Sequence, residues 1–278
     1  KYLYMDIKAF KMDGLGNDFV IIDQRNNTFN LSKDQIIKIC DRNYIGCDQL
    51  ILIKKNRKID AGLEFYNSDG SISEACGNGT RCVANLLAKE NGKKEIILWT
   101  SGGILKSKIL GNKLVETEIG ISKTNWDEIP LIKKLDTKDL KIEIIDKSNK
   151  KHVGGIAINV GNPHIIFFVN DIENFDLIKI GPKIENHEMF LKKCNVTLAK
   201  IMSKNLIKVK VWERGAGLTK ACGTAACATA AAANIKGLTD KNTEIEFELG
   251  RLTISIDEKN SIHMKGSVSN IQEIEIKL

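Results

Sequence analysis

Two stretches of this chain are near copies of each other, and each sets a cysteine at the start of a helix-like run. Ala75-Cys76-Gly77-Asn78-Gly79-Thr80-Arg81-Cys82 opens a run that closes at Asn91-Gly92. Ala221-Cys222-Gly223-Thr224-Ala225-Ala226-Cys227 opens another that closes at Lys236-Gly237. Upstream, Gly16-Asn17-Asp18-Phe19 leads into Val20-Ile21-Ile22, and Gly161-Asn162-Pro163-His164 leads into Ile165-Ile166-Phe167-Phe168. The paired glycines stand 145 residues apart and the paired cysteines 146, so one duplication accounts for both. Two homologous halves that each aim a cysteine at a shared cleft would set two thiols on opposite sides of one bound molecule. Inverting a stereocentre by proton transfer needs that arrangement.

The 278 residues suit one large domain or two of ordinary size, and 42% apolar content is enough for a sizeable core. The formal charge is +7, but 42 basic and 35 acidic residues are well mixed and aromatics are only 6%. That is a solvated, lysine-rich surface rather than a nucleic-acid stripe. No apolar run approaches 18 residues, so no membrane helix is expected. The N-terminus lacks the apolar core of a signal peptide. Met5 is read as the natural start, with residues 1–4 a remnant. Seven cysteines, an odd number spread without a disulfide framework, fit a reduced cytoplasmic protein.

Strand-like runs dominate the first half: 19–23, 50–53, 63–67, 96–100, 104–110 and 114–119. Gly111-Asn112 is the expected hairpin turn between the last two. A helix over 34–42 starts at Ser32, with Gln35 completing a capping box. The polar segment 125–150 is read as the crossover between halves. The second half repeats the order, with strands near 154–160, 165–169 and 206–212 and a helix near 182–192. Strands follow at 243–249, 252–256 and 261–265. The last segment, 271–276, alternates like a strand and rejoins the first half. The fold class is α+β, with two similar domains, each an antiparallel sheet wrapped around the apolar helix that follows its cysteine. The first domain is expected over 1–123 plus 268–278, carrying Cys76. The second is expected over 124–267, carrying Cys222.

Ala-Cys-Gly at a helix start brings three things together. First-turn N–H groups are unpaired and point outward. The positive end of the helix dipole favours an anion and lowers a thiol pKa below its ordinary value. Glycine lets a carboxylate approach the backbone. Two such loops facing one ligand would hold a carboxylate between two helix N-termini and stabilise the enediolate formed when an α-proton leaves. Cys82, Cys227, Cys40 and Cys194 read as small buried hydrophobes, whereas Cys47 lies near a loop and reads as exposed. Cys76, Cys82, Cys222 and Cys227 could together suggest zinc, but their spacings are wrong for a knuckle and no histidine joins them. Nothing suggests pyridoxal phosphate, a nucleotide or a flavin, because Gly14-Leu15-Gly16 continues Asn-Asp-Phe and no Walker loop is present.

Lys11-Met12-Asp13-Gly14-Leu15-Gly16-Asn17-Asp18-Phe19, the Cys76 motif, Asn159-Val160-Gly161-Asn162-Pro163-His164 and Glu213–Thr224 together resemble the diaminopimelate epimerase family. Proline racemases share the two-cysteine plan but typically carry histidine where this chain has Asn78, and they lack Glu-Arg-Gly-Ala-Gly. The resemblance implies a pseudo-twofold pair of domains with the active site between them. It implies a cofactor-free, metal-free isomerase that converts LL-2,6-diaminoheptanedioate to the meso form, acting as a homodimer. Carried over, Cys76 and Cys222 are the acid/base pair, with Cys222 as base and Cys76 as acid from LL to meso. Asn17, Gln49, Asn67, Asn162, Asn195, Glu213 and Arg214 are substrate contacts, joined by the backbones of Gly77, Asn78, Gly223 and Thr224. His164 and Glu213 support catalysis near the cysteines.

Thiols that flank one carbon lie within reach of each other once a modest domain movement brings their Cα atoms to about 4.4–6.8 Å. Mild oxidation is therefore expected to join Cys76 to Cys222 and abolish activity, and a dithiol should restore it. Peptide mapping checks this, and oxidation mapped only to other cysteines would count against facing thiols.

Overall fold

The computed structural model of the chain describes residues 6–73, 76–111 and 113–278. Met5, residues 1–4, Ala75 of the first motif and Asn112 of the expected turn lie outside those residues. The chain divides into two compact units. One takes the chain up to Glu118 together with Lys265–Leu278, and the other is Ile119–Met264.

The first unit runs β1 (Asp6–Gly14), β2 (Asn17–Asp23), α1 (Lys33–Cys40), β3 (Gln49–Lys54), β4 (Ala61–Asn67), β5 (Ile72–Ser73), α2 (Gly77–Asn91), β6 (Glu95–Thr100), β7 (Gly103–Ile109) and β8 (Leu114–Ile121). Strands β2 and β3 pair in parallel, as do β4 and β6, while β1–β2, β3–β4 and β6–β7 are antiparallel. The unbroken apolar run of β2 follows from cover on both faces. Phe19 and Ile21 share a core with Cys82, Val83, Ala84 and Leu87 of α2. Val20 and Ile22 share another with Ile36, Ile39 and Cys40 of α1. Helix α1 starts at the expected capping box: the Gln35 N–H donates to Ser32 Oγ at 3.2 Å, and the Ser32 N–H to Gln35 Oε1 at 2.8 Å. It stops two residues before Arg42.

The second unit adds a hairpin, β9 (Ile142–Ile145) and β10 (Lys151–Gly154), then repeats the plan. It runs β11 (Ile156–Asn159), β12 (Pro163–Phe168), α3 (Leu177–Glu185), β13 (Asn195–Ser203), β14 (Leu206–Glu213), β15 (Gly217–Thr219), α4 (Gly223–Ile235), β16 (Asn242–Phe247), β17 (Gly250–Ile256) and β18 (Ser261–Ser267). The pairings match step for step: β11–β12 antiparallel, β12–β13 parallel, β13–β14 antiparallel, β14–β16 parallel. The duplication read from motifs is thus present in the topology. The chain then returns to the first unit, where β19 (Gln272–Lys277) pairs antiparallel with β1.

Four expectations change. The sheets are mixed rather than antiparallel, because α1 and α3 carry the chain back to start a neighbouring strand in the same direction. The segment 125–150 is more than a polar crossover: Ile129, Leu131, Leu140, Ile142 and Ile144 enter the core of the second unit, alternating among lysines that hide them in an average. Helix α3 begins five residues before Pro182, which sits inside it, since Leu177, Ile180 and Ile184 supply the buried face. β1 and β13 form where no strand was expected.

Nearly all of α2 is buried, from Gly77 to Ala88. Gly79 is what allows it, since a Cβ there would lie 2.7 Å from Ile51 Cδ1 and 3.0 Å from Phe65 Cε1. Gly79→Ala would gain about 1 kcal/mol of helix propensity but overpack a core at a cost of about 1–3 kcal/mol. The expected outcome is a net loss, read as a lower urea midpoint. A midpoint at or above that of the parent would show that α2 does not sit this close to β3 and β4.

Candidate active site

In the first unit, the parallel pairing of β2 and β3 sets their starting ends side by side, and antiparallel β4 ends there too. Phe19 stands opposite Gln49, and Gln49 opposite Asn67. Asn17, Gln49 and Asn67 therefore gather at one end of the sheet. Cys76, half-buried, is the N-cap of α2 there, at φ −137° and ψ 114°. Its Sγ donates to Asn17 Oδ1 at 3.5 Å, and Asn78 Nδ2 donates to the same oxygen at 3.4 Å. Asn17 Nδ2 donates to Asp48 Oδ2 at 3.1 Å. Gln49 Nε2 donates to Asn67 Oδ1 at 2.9 Å, while Gln49 Oε1 is buried with no hydrogen-bond partner among the described residues. A buried acceptor left open in this way is suited to a donor on a ligand.

The second unit assembles its set by the same topology. His164 stands opposite Asn195, and Val196 opposite Trp212, so Asn162, His164, Asn195, Glu213 and Arg214 share one sheet end. Cys222 is the N-cap of α4 at φ −141° and ψ 114°, the conformation of Cys76. Neither cysteine makes a capping hydrogen bond, and neither helix has an acidic residue in its first turn. Neither helix thus neutralises the positive end of its dipole from within its own first turn, which holds Gly77 and Asn78 in one and Gly223 and Thr224 in the other. Cys222 Sγ lies 3.5 Å from Thr224 Oγ1, and Thr219 Oγ1 donates to Glu213 Oε1 at 2.5 Å. The Asn195 amide engages backbone: Nδ2 donates to the Pro163 carbonyl, and Oδ1 accepts from the Arg214 N–H, both at 2.9 Å. It braces the site.

Electrostatics here depart from the sequence reading. Burial pushes the Cys222 thiol well above the ordinary thiol range, and the neighbouring Glu213 carboxylate, to which it is hydrogen-bonded, pushes further. The helix dipole does not win, since removing a thiolate from water costs more than a partial charge returns. Burial likewise drives the His164 imidazole down to about 3, helped by the charge of Arg214. His164 Nε2 pairs with Asn162 Oδ1 at 2.8 Å, and its buried Nδ1 has no hydrogen-bond partner among the described residues. Cys40, Cys82, Cys194 and Cys227 are buried, as expected. Cys47 is not exposed; it is buried too, its sulfur 3.5 Å from that of Cys40, because Gly46 turns the loop back onto α1. Among the described residues no three His, Cys, Asp or Glu side chains cluster as a metal site would need, and no helix is long and apolar enough to cross a membrane.

Several contributors escaped the sequence reading. Arg42 forks onto Asp18 at 2.6 and 2.8 Å and reaches Asp48 at 2.7 Å, and so fixes the carboxylate that holds Asn17. Burial opposes ionisation of Asp18, but the Arg42 fork and the Asp48 N–H outweigh it and hold its pKa low. Arg81, fully buried in the second turn of α2, donates to Asn78 Oδ1 at 2.7 Å. Asp18 and Arg81 lie inside the quoted motifs, which was a usable signal. Arg42 had none.

Comparison with known proteins agrees with this architecture. The sequence profile described as Diaminopimelate epimerase matches residues 9–124 and again 156–271, once in each half. The chain is 79% identical over 274 residues to a diaminopimelate epimerase of Pelagibacter ubique (strain HTCC1062), covering 99% of this chain and all of that one. It is 40% identical over 267 residues to one from Acidiphilium cryptum (strain JF-5), covering 96% and 95%. Among solved structures, a hydroxyproline epimerase from Agrobacterium vitis with bound trans-4-hydroxy-L-proline superposes with TM-score 0.71 at 11% identity, covering 100% and 93%. A Bacillus anthracis phenazine biosynthesis protein of the PhzF family gives 0.67 at 15%, covering 98% and 99%. At such identities these two speak to a shared α+β fold.

The neutrality of His164 is testable. The unfolded chain takes up a proton at its ordinary pKa of 6.5, the folded one only near 3. The stability tied to His164 is therefore complete above 6.5 and is lost as pH falls through that window. Of the four histidines, His164 is expected to show no ring titration by NMR between about pH 5 and 8, and His164→Gln should flatten the decline in stability below about pH 6. A His164 ring that titrates near 6.5 would refute the burial argument.

Proposed function

The chain belongs to the diaminopimelate epimerase family, and on that premise we propose that it interconverts LL- and meso-2,6-diaminoheptanedioate by two-base proton transfer without a cofactor. The observation that carries the reading is the pair of cysteines held in one backbone conformation at two helix N-termini that lack acidic residues. A thiolate removes the α-proton from one face of the carbon, and a thiol delivers a proton to the other. The substrate carboxylate takes the negative charge as an enediolate, stabilised by N–H groups from Gly77 and Asn78 and from Gly223 and Thr224.

The substrate carries two amino-acid ends. The reacting end is recognised by Asn17, Asn78 and Asn162, and the other by Gln49, Asn67 and Asn195, with Arg214 on the distal carboxylate. Gln49 supports this reading because its open Oε1 suits an ammonium. Cys222 starts as a thiol, so serving as base from LL to meso requires its proton to leave first. Glu213, already hydrogen-bonded to it, is the acceptor at hand. His164, neutral, pairs with Asn162 and supports its orientation. The same reading places the enzyme in lysine and peptidoglycan precursor synthesis, as a cytoplasmic homodimer.

Incubation with LL-diaminopimelate in D2O, with no added cofactor, tests the reading. The expected result is a meso product carrying deuterium at one α-carbon, with Cys76→Ala and Cys222→Ala each losing epimerisation. Turnover near the parent rate in either variant would exclude the two-base mechanism.

A further inference from the structure

Glu185 closes α3 and is 7% exposed, a carboxylate that the chemistry above does not use. Both of its oxygens are occupied. Oε2 accepts from Trp212 Nε1 at 2.8 Å, and Oε1 accepts from the Gly215 N–H at 3.0 Å. Those two donors flank Glu213 and Arg214 on either side. The segment is a turn: the Ala216 N–H donates to the Glu213 carbonyl at 3.1 Å, and Gly215 sits at φ +76°. Arg214 is the first central residue of that turn. Its own N–H is held by Asn195, and its guanidinium donates to the Lys192 carbonyl at 2.9 Å.

Helix α3 is shaped for this contact. Gly181 and Glu185 are one turn apart on the same face. A Cβ on Gly181 would lie 2.4 Å from Trp212 Cγ and Cδ2, so only glycine lets the indole lie against the helix. With the ring seated there, Nε1 reaches the carboxylate one turn on. Bonds from N–H groups to a buried carboxylate are the stronger kind, and both are made here by one rigid helix end.

We infer that Glu185 is a positioning residue for substrate specificity: by holding Trp212 and Gly215 it fixes the turn that aims Arg214 at the distal carboxylate. This rests on the reading of Arg214 as the distal clamp.

Glu185→Gln is nearly isosteric but has one acceptor oxygen where two donors arrive, so one bond must fail. It should raise KM for LL-diaminopimelate about tenfold and leave kcat within about twofold. The decisive measurement is a double-mutant cycle with Arg214→Ala. If Glu185 acts through Arg214, Glu185→Gln adds less than about twofold to KM once Arg214 is gone. Should Glu185→Gln fail to fold, Trp212→Phe, which removes one donor and keeps the ring, carries the same cycle. An unchanged KM in Glu185→Gln, or an equal rise in both backgrounds, overturns the inference and leaves the clamp standing. If Arg214→Ala itself leaves KM unchanged, the clamp reading fails and this inference falls with it.

Discussion

A helix buried along its length can offer chemistry only at its ends, and this fold is built around two such helices. Gly77–Ala88 of α2 and Ala225–Ala233 of α4 are enclosed. Enclosure dictates a small residue where the neighbours come closest, as at Gly79, because a side chain there would displace Ile51 and Phe65. It also dictates where polarity can survive. The first-turn N–H groups have no intrahelical partners, so the entry to each helix is where a buried fold has donors to give. Both cysteines stand at those entries.

The sheets decide what surrounds them. In each unit one parallel pair and one antiparallel neighbour bring two strand starts and one strand end together. Duplication preserved that geometry, and substitution then diversified it. The first unit places neutral amides there, with the charges of Asp18, Asp48 and Arg42 held one layer back. The second places Glu213 and Arg214 directly at the sheet end, where burial, seconded by those charges, pushes His164 down and Cys222 up. Two thiols with closely matching backbones therefore sit in different surroundings, one beside an amide and the other beside a carboxylate.

Much of this was legible from residues. The repeat announced two homologous halves, and the capping box at Ser32 located α1. The ordered motifs named residues that the topology does bring to common sheet ends. What the sequence hid has physical causes. Parallel pairing depends on where a crossover helix returns the chain, which no local pattern encodes. The sign of the Cys222 shift depends on burial, which competes with a helix-end effect of only about 0.3–1 kcal/mol. Arg42 acts on Asp18, 24 residues away, and Glu185 on Gly215, 30 residues away, with no spacing rule to betray them.

The asymmetry between the halves has a consequence for how such a site is kept accurate. Amides such as Gln49 and Asn67 tolerate small displacements, because each offers donors and an acceptor and can re-pair. A guanidinium that must meet a carboxylate in a fork does not, since its advantage is geometric. The second unit accordingly braces its charged turn from several positions. Asn195 holds the Arg214 N–H, Lys192 holds the guanidinium, and Glu185 holds the residues on either side. The braces come from the end of α3 and from the segment that leads into β13, so the aim of one side chain is set by the packing of α3, the start of β13 and the end of β14 together. Under the proposed function, discrimination would then reside in the rigidity of the second unit rather than in Arg214 alone, and substitutions that loosen α3 would relax specificity before they touched the cysteines.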